Sequence, residues 1–231
     1  MDNIEPYPYK LNLLDKYPKG DDPKNPVRIY TDGVFDCFHY GHARLFQKVK
    51  TILPNVHLIV GVCSDEDVTS EKARPIMNAT ERIESVKHCK WVDSVVTAPW
   101  IPTLEYMDSI NAHYIAHDPE PYPYKGIEDV YFTIKDAGRF IATTRTSGIS
   151  TTDVILKIIE DFDVYVERSI KKKVPINDLH LPASKWIKYQ GQAYGSRVLN
   201  KLLEISEDIY KEDNSKTLIK EFIDSQKKNK N

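Results

Sequence analysis

Cysteine is scarce in this chain of 231 residues: Cys37, Cys63 and Cys89 are the only three, an odd and widely separated set. None of the gaps is the short spacing of a zinc-ligand pair. Three thiols do not make a disulfide framework, so the set suits core filling in a reducing compartment. An excess of one charge is also lacking. The 32 Lys and Arg stand against 34 Asp and Glu, a net charge of −2 that argues against a general nucleic-acid binder. No apolar run approaches the roughly 20 residues of a membrane span. The start, Met-Asp-Asn-Ile-Glu-Pro, has no basic or apolar leader, and the expected location is the cytoplasm.

What is present is alternation. Residues 1–25 are rich in Pro, Tyr, Lys and Asp without periodicity, and read as an arm or disordered lead. From 26 to 173, apolar runs at Val27–Thr31, His57–Cys63, Ser94–Thr97, Tyr114–Ala116 and Phe140–Ala142 read as strands. Helical spacing separates them, at Ala43–Lys50, from Asn78 to Cys89, near Leu104–Ile110 and over Asp129–Gly138. This order predicts an α/β fold, a Rossmann-like open parallel sheet with helices on both faces. Ser150-Thr-Thr-Asp153 caps a last long helix running through Phe162, and 174–231 reads as a helical C-terminal extension. One hexapeptide, Glu5–Lys10, recurs identically as Glu120–Lys125, as chance or loop convergence.

The richest segment is Thr31-Asp-Gly-Val-Phe-Asp-Cys-Phe-His-Tyr-Gly-His42, between the first strand and the first helix. His39 and His42 are three apart and share a face of the first helical turn. Gly41 leaves room for a large ligand to approach the backbone. Free N–H groups and the positive end of the helix dipole favour an anion there, and two imidazoles add donors. Such a segment handles phosphate. A second one is Arg145-Thr-Ser-Gly-Ile-Ser-Thr151, again before a helix. Arg145 offers a planar fork, Thr146, Ser150 and Thr151 offer hydroxyls, and Gly148 opens the backbone. Lys72 lies between them in a polar loop with Arg74.

With these motifs the chain resembles the nucleotidylyltransferase superfamily, marked by His-x-Gly-His after a strand. Within it, residues 26 to about 173 are similar to the choline-phosphate cytidylyltransferase family, whose second signature is Arg-Thr-Glu-Gly-Ile-Ser-Thr. The blocks Leu58–Glu66, Met77-Asn78, Glu81-Arg82, His88-Cys89, Val92-Asp93 and Ala98-Pro-Trp100 add to the resemblance. The resemblance implies transfer of a cytidylyl group from CTP to phosphocholine, giving CDP-choline and pyrophosphate. It gives catalytic roles to His39, His42, Lys72 and Arg145. It assigns CTP contacts to these four and to Gly33, Phe35, Asp36, Arg82, Thr146, Gly148, Ile149, Ser150 and Thr151. Phosphocholine would meet Asp36, Lys72, Trp100, Asp118, Tyr122 and Tyr131, aromatic faces and carboxylates being what a quaternary ammonium needs.

Mg²⁺ is expected on the CTP phosphates. A homodimer is expected too, with membrane association weak or absent, because the stretch Val198–Tyr210 carries Glu204, Glu207 and Asp208 rather than a lysine border. Two residues depart from the family pattern: Ser147 replaces a Glu, and Pro119 replaces an Asp. Phosphoethanolamine or glycerol 3-phosphate as acceptor is one alternative; a catalytically poor choline or CTP sensor is another. An aminoacyl-tRNA synthetase fragment shares the histidine motif, but the chain has no Lys-Met-Ser-Lys-Ser loop.

Overall fold

The computed structural model describes residues 11–172 and 174. Its centre is a five-stranded sheet of β1 (Val27–Gly33), β2 (Val56–Cys63), β3 (Ser94–Ala98), β4 (Tyr114–His117) and β5 (Phe140–Ala142). The order is β3-β2-β1-β4-β5, and every neighbouring pair is parallel. The chain builds outward from β1 to β3, then crosses back to add β4 on the other side of β1. That reversal opens a crevice beyond the carboxyl ends of β1 and β4, where α/β sheets bind ligands.

The expected alternation of strand and helix is therefore observed, and both faces of the sheet are covered. Successive strand residues point to opposite faces, so Ile29 and Leu58 enter one apolar cluster while Tyr30 and Ile59 enter the other. Phe46 and Val49 of α1 (Tyr40–Lys50) and Val86 of α3 (Ala79–Lys87) close the first cluster. Met107 of α4 (Leu104–Ser109) and Ile134 of α5 (Phe132–Asp136) close the second. The sequence reading missed α2 (Asp65–Glu71). Its signal was present: the Ser64 side chain accepts from the Asp67 N–H, and three acids fill the first turn.

Two further expectations change. Residues 11–25 form no helix or strand, yet they are packed. The Leu14 N–H donates to the Tyr114 hydroxyl at 2.7 Å, Tyr17 stacks on His113 at 4.8 Å, and Leu11 and Leu13 lie against the core. The single last helix is divided into α6 (Thr151–Glu160) and α7 (Phe162–Lys171). Helical bonds pass through the division, from Asp161 N–H to Lys157 and from Tyr165 N–H to Asp161. Chain contacts separate a unit ending at Val154 from one beginning at Ile155. The stretch Val198–Tyr210 and the copy Glu5–Lys10 lie outside the described residues.

Candidate active site

β1 delivers its last residues, Asp32 and Gly33, to the crevice, and the loop after it carries the two histidines. His39 is the N-cap of α1. Its Nδ1 accepts the Gly41 N–H at 3.1 Å, and Nδ1 of His42 accepts the His39 N–H at 3.4 Å. This is a capping box made from imidazoles, and it satisfies backbone donors that the helix start leaves free. It also fixes the tautomers. A neutral imidazole that accepts at Nδ1 carries its proton at Nε2, so both rings present an Nε2–H donor. The rings stack at 3.7 Å. Burial holds both below the ordinary range, His42 down to about 4, with the neighbouring His39 adding to the effect. At neutral pH the pair therefore donates without carrying charge.

Gly41 has a different reason from the one its position suggested. A Cβ there would stand 2.8 Å from Cγ2 of Ile149 and 3.0 Å from the His39 ring. The close approach is that of the second motif, not of a ligand. The two phosphate segments thus meet at one point, Gly41 against Ile149, 108 positions apart in sequence (149 minus 41). The Thr151 hydroxyl adds a second tie by donating to the Asp36 carbonyl at 3.1 Å. Ser150 caps α6, accepting the Asp153 N–H at 3.1 Å. Gly148 adopts φ +75 with open space about it, and Arg145 is exposed with its Nε 3.9 Å from the Asp118 carboxylate.

Several expected contacts prove to be supports instead. Both oxygens of Asp36 are taken by backbone donors, the N–H groups of Cys37 and Met77 on one and of Ile76 on the other, at 2.8–3.0 Å. Asp36 anchors the motif loop to the segment entering α3. Arg82, expected to reach phosphate, is fully buried. Its guanidinium donates to the carbonyls of Met77 and Val34 and to the Asp65 carboxylate, at 3.1, 2.8 and 2.6 Å. An arginine so engaged cannot follow a nucleotide, and the physical reason is that a buried guanidinium must satisfy its donors locally. The Phe35 side chain is in the core, edge-on to His42 at 5.4 Å, and it fills the space above Gly33. The Phe35 ring thus braces His42 from the core side, and any ligand contact at Gly33 and Phe35 would fall to their backbone.

On the other side of the crevice, Trp100, Tyr122 and Tyr131 belong to one cluster with Tyr30 and Cys63. The Lys72 ammonium lies 5.4 Å from the Trp100 ring centre, so the lysine loop and the aromatic group are neighbours. Tyr131 is buried and stacks on His117 at 4.6 Å. Sequence reasoning passed over Asp32. It is buried, one carboxylate oxygen has no partner, and burial pushes its pKa up to about 7. Its field is felt by Tyr30, Cys63, Tyr106 and Tyr131. Its place at the carboxyl end of the central strand was the available signal.

Buried polar atoms without partners are rare in folded proteins. Among the described residues Tyr30, Thr31, Asp32, His39, Trp100 and Thr146 each keep one. All but Tyr30, whose hydroxyl lies over Gly61 in the core, stand at the carboxyl end of β1, in the two motifs or in the aromatic group. Such a concentration marks polar groups arranged for a ligand. Among the described residues no three His, Cys, Asp or Glu converge as a metal cage.

The chain matches the Cytidylyltransferase-like family over residues 30–157. It is 41% identical to choline-phosphate cytidylyltransferase A of Homo sapiens, over 87% of the chain and 55% of the relative. It is 44% identical to a probable choline-phosphate cytidylyltransferase of Schizosaccharomyces pombe, over 76% and 49%. An ethanolamine-phosphate cytidylyltransferase of Dictyostelium discoideum is 38% identical, over 59% and 38%. The chain thus spans about half the length of the relatives it matches first.

Proposed function

Because the chain belongs to the cytidylyltransferase-like family, we propose that it transfers the cytidylyl group of CTP to phosphocholine, forming CDP-choline and pyrophosphate. The observation that carries this reading is the set of unpartnered buried atoms at the crevice, donors on the histidine side and the Trp100 indole N–H with the Asp32 carboxylate on the aromatic side. An oxygen of the phosphocholine phosphate attacks the α-phosphorus of CTP in line. The bond from that phosphorus to the β-phosphate oxygen breaks, and pyrophosphate leaves with its electron pair. No covalent enzyme intermediate is needed, so catalysis is positioning and charge stabilisation.

His39 and His42 donate from Nε2 to the α-phosphate oxygens as charge develops. Lys72, a mobile point charge, bridges the two phosphates, while Arg145 and Thr146 hold the departing pyrophosphate. Trp100, Tyr122 and Tyr131 supply ring faces and edges for the trimethylammonium, with Asp32 and Asp118 supplying negative charge. Magnesium would come on the triphosphate oxygens and offset their charge, since the described side chains offer no cage of their own. A homodimer is part of the same reading, and the exposed apolar side chains of α6 and α7, Leu156, Ile159 and Val164 among them, offer a surface for it. No described helix is long and apolar enough to cross a membrane.

Trp100→Ala with Tyr131→Ala tests the division of the crevice. The pair should raise KM for phosphocholine about tenfold or more while leaving KM for CTP nearly unchanged, as loss of cation–π contacts predicts. Equal weakening of both substrates would overturn the assignment.

A further inference from the structure

The loop from Pro119 to Tyr131 is braced as one body. Asp129 accepts the N–H groups of Tyr122 and Tyr131 at 3.3 and 3.1 Å and pairs with Lys135 at 2.7 Å. Lys135 donates also to the Pro119 carbonyl at 3.0 Å. The tip is a two-residue turn, closed by two bonds of 2.8 Å between Tyr124 and Ile127. Lys125 occupies its first central position at φ +44, in the left-handed region that Asn or Gly adopts more cheaply. Strain of this kind persists where surrounding contacts over-determine it.

The contact that Lys125 makes is with Glu71, at 2.8 Å. Glu71 is the last residue of α2, and Lys72 is the C-cap of that helix. A carboxylate at a helix C-terminus faces the negative end of the dipole, and α2 has no basic residue in its last turn. Lys125 supplies the missing cation from another loop. The pairing also holds the Glu71 carboxyl below its ordinary range. The residue next in sequence is the lysine whose ammonium rests by Trp100.

We propose that the Glu71–Lys125 ion pair is a latch that fastens the tyrosine-bearing acceptor loop to the segment carrying Lys72, so that these two positioning residues set where Lys72 stands during transfer. The inference rests on the reading of Lys72 as the bridging cation. The Lys125 end of the pair is open to water, which limits its contribution to stability; its effect is on placement. Neither residue is among those assigned above to a substrate. Their class of action is alignment of a cation with two phosphates, and a small misplacement of a reacting group is costly in rate.

The test is steady-state kinetics of Glu71→Gln, Lys125→Met and the exchanged pair Glu71→Lys with Lys125→Glu. Each single change should lower kcat with phosphocholine about tenfold, in line with the cost of misplacing a catalytic group. KM for CTP should stay at the wild-type value, and the exchanged pair should recover most of the rate. Wild-type kcat in both single variants, or an exchanged pair as slow as they are, would overturn the latch. A wild-type chain that makes no CDP-choline would instead refute the functional reading. In that case amide hydrogen exchange at residues 72–74 decides the latch, faster exchange in Lys125→Met than in wild type supporting it and equal rates overturning it.

Discussion

His39 and His42 each spend Nδ1 on the helix start, which leaves Nε2 for the proposed contact with phosphate, so in this reading one pair of side chains serves fold and chemistry together. Replacing either by Ala should lower kcat about a hundredfold, as for other preorganised donors. Single-turnover measurement on folded protein checks this, and near-normal rates in both variants would contradict it. The pH dependence follows from the same bonds. His42 falls from an ordinary 6.5 to about 4 in the folded chain, so between these values the unfolded chain binds the extra proton. Stability should therefore decline as pH drops from about 6.5 toward 4, and His42→Ala should lessen that slope in denaturant melts.

Asp32 runs the opposite way: its folded pKa is raised from 3.8 to about 7, so the folded chain holds the extra proton between them. Stability therefore falls as pH climbs from about 3.8, where the unfolded chain ionises, to about 7, unless a bound cation favours the folded carboxylate. Choline, whose charge is fixed, should consequently inhibit more strongly as pH rises through about 7, and Asp32→Asn should remove that dependence. Inhibition constants between pH 6 and 8 are the measurement.

At the scale of elements, the meeting of α1 with the second motif is the joint on which the site depends. Gly41→Ala would place a Cβ 2.8 Å from Ile149. We expect loss of activity and a destabilisation of roughly 1–3 kcal/mol, the usual cost of overpacking. The double variant with Ile149→Ala should regain part of the stability, which chemical denaturation can show. This joint was not legible in the sequence, because glycine in a phosphate motif reads equally as room for ligand or room for protein. The strands were legible, since parallel strands buried on both faces are continuous apolar runs. The helix α2 carried only its N-cap and acidic first turn as signal, being short and dominated by charge, with only Val68 buried to give an apolar period. Arg82 misled for a related reason: in sequence an arginine looks the same whether it reaches a nucleotide or is buried against the Asp65 carboxylate and backbone carbonyls.

For the molecule as a whole, the order of elements predicted the sheet and the crevice at its switch point, which depend on the chain's gross alternation. The pairing of far-separated groups, such as Lys125 with Glu71 or Asp118 near Arg145, depends on loop geometry that periodicity does not encode. The central claim joins both halves of the crevice: a phosphate-transfer side and an aromatic side shaped for a methylated cation. Initial rates with labelled CTP, taken in parallel with phosphocholine and phosphoethanolamine, test it most directly. Ring faces favour the trimethylammonium by about 1–2 kcal/mol apiece when desolvated, and a primary ammonium must shed more water. The account predicts CDP-choline as product and a kcat/KM at least about tenfold higher for phosphocholine; equal use of the two acceptors, or preference for phosphoethanolamine, would contradict it.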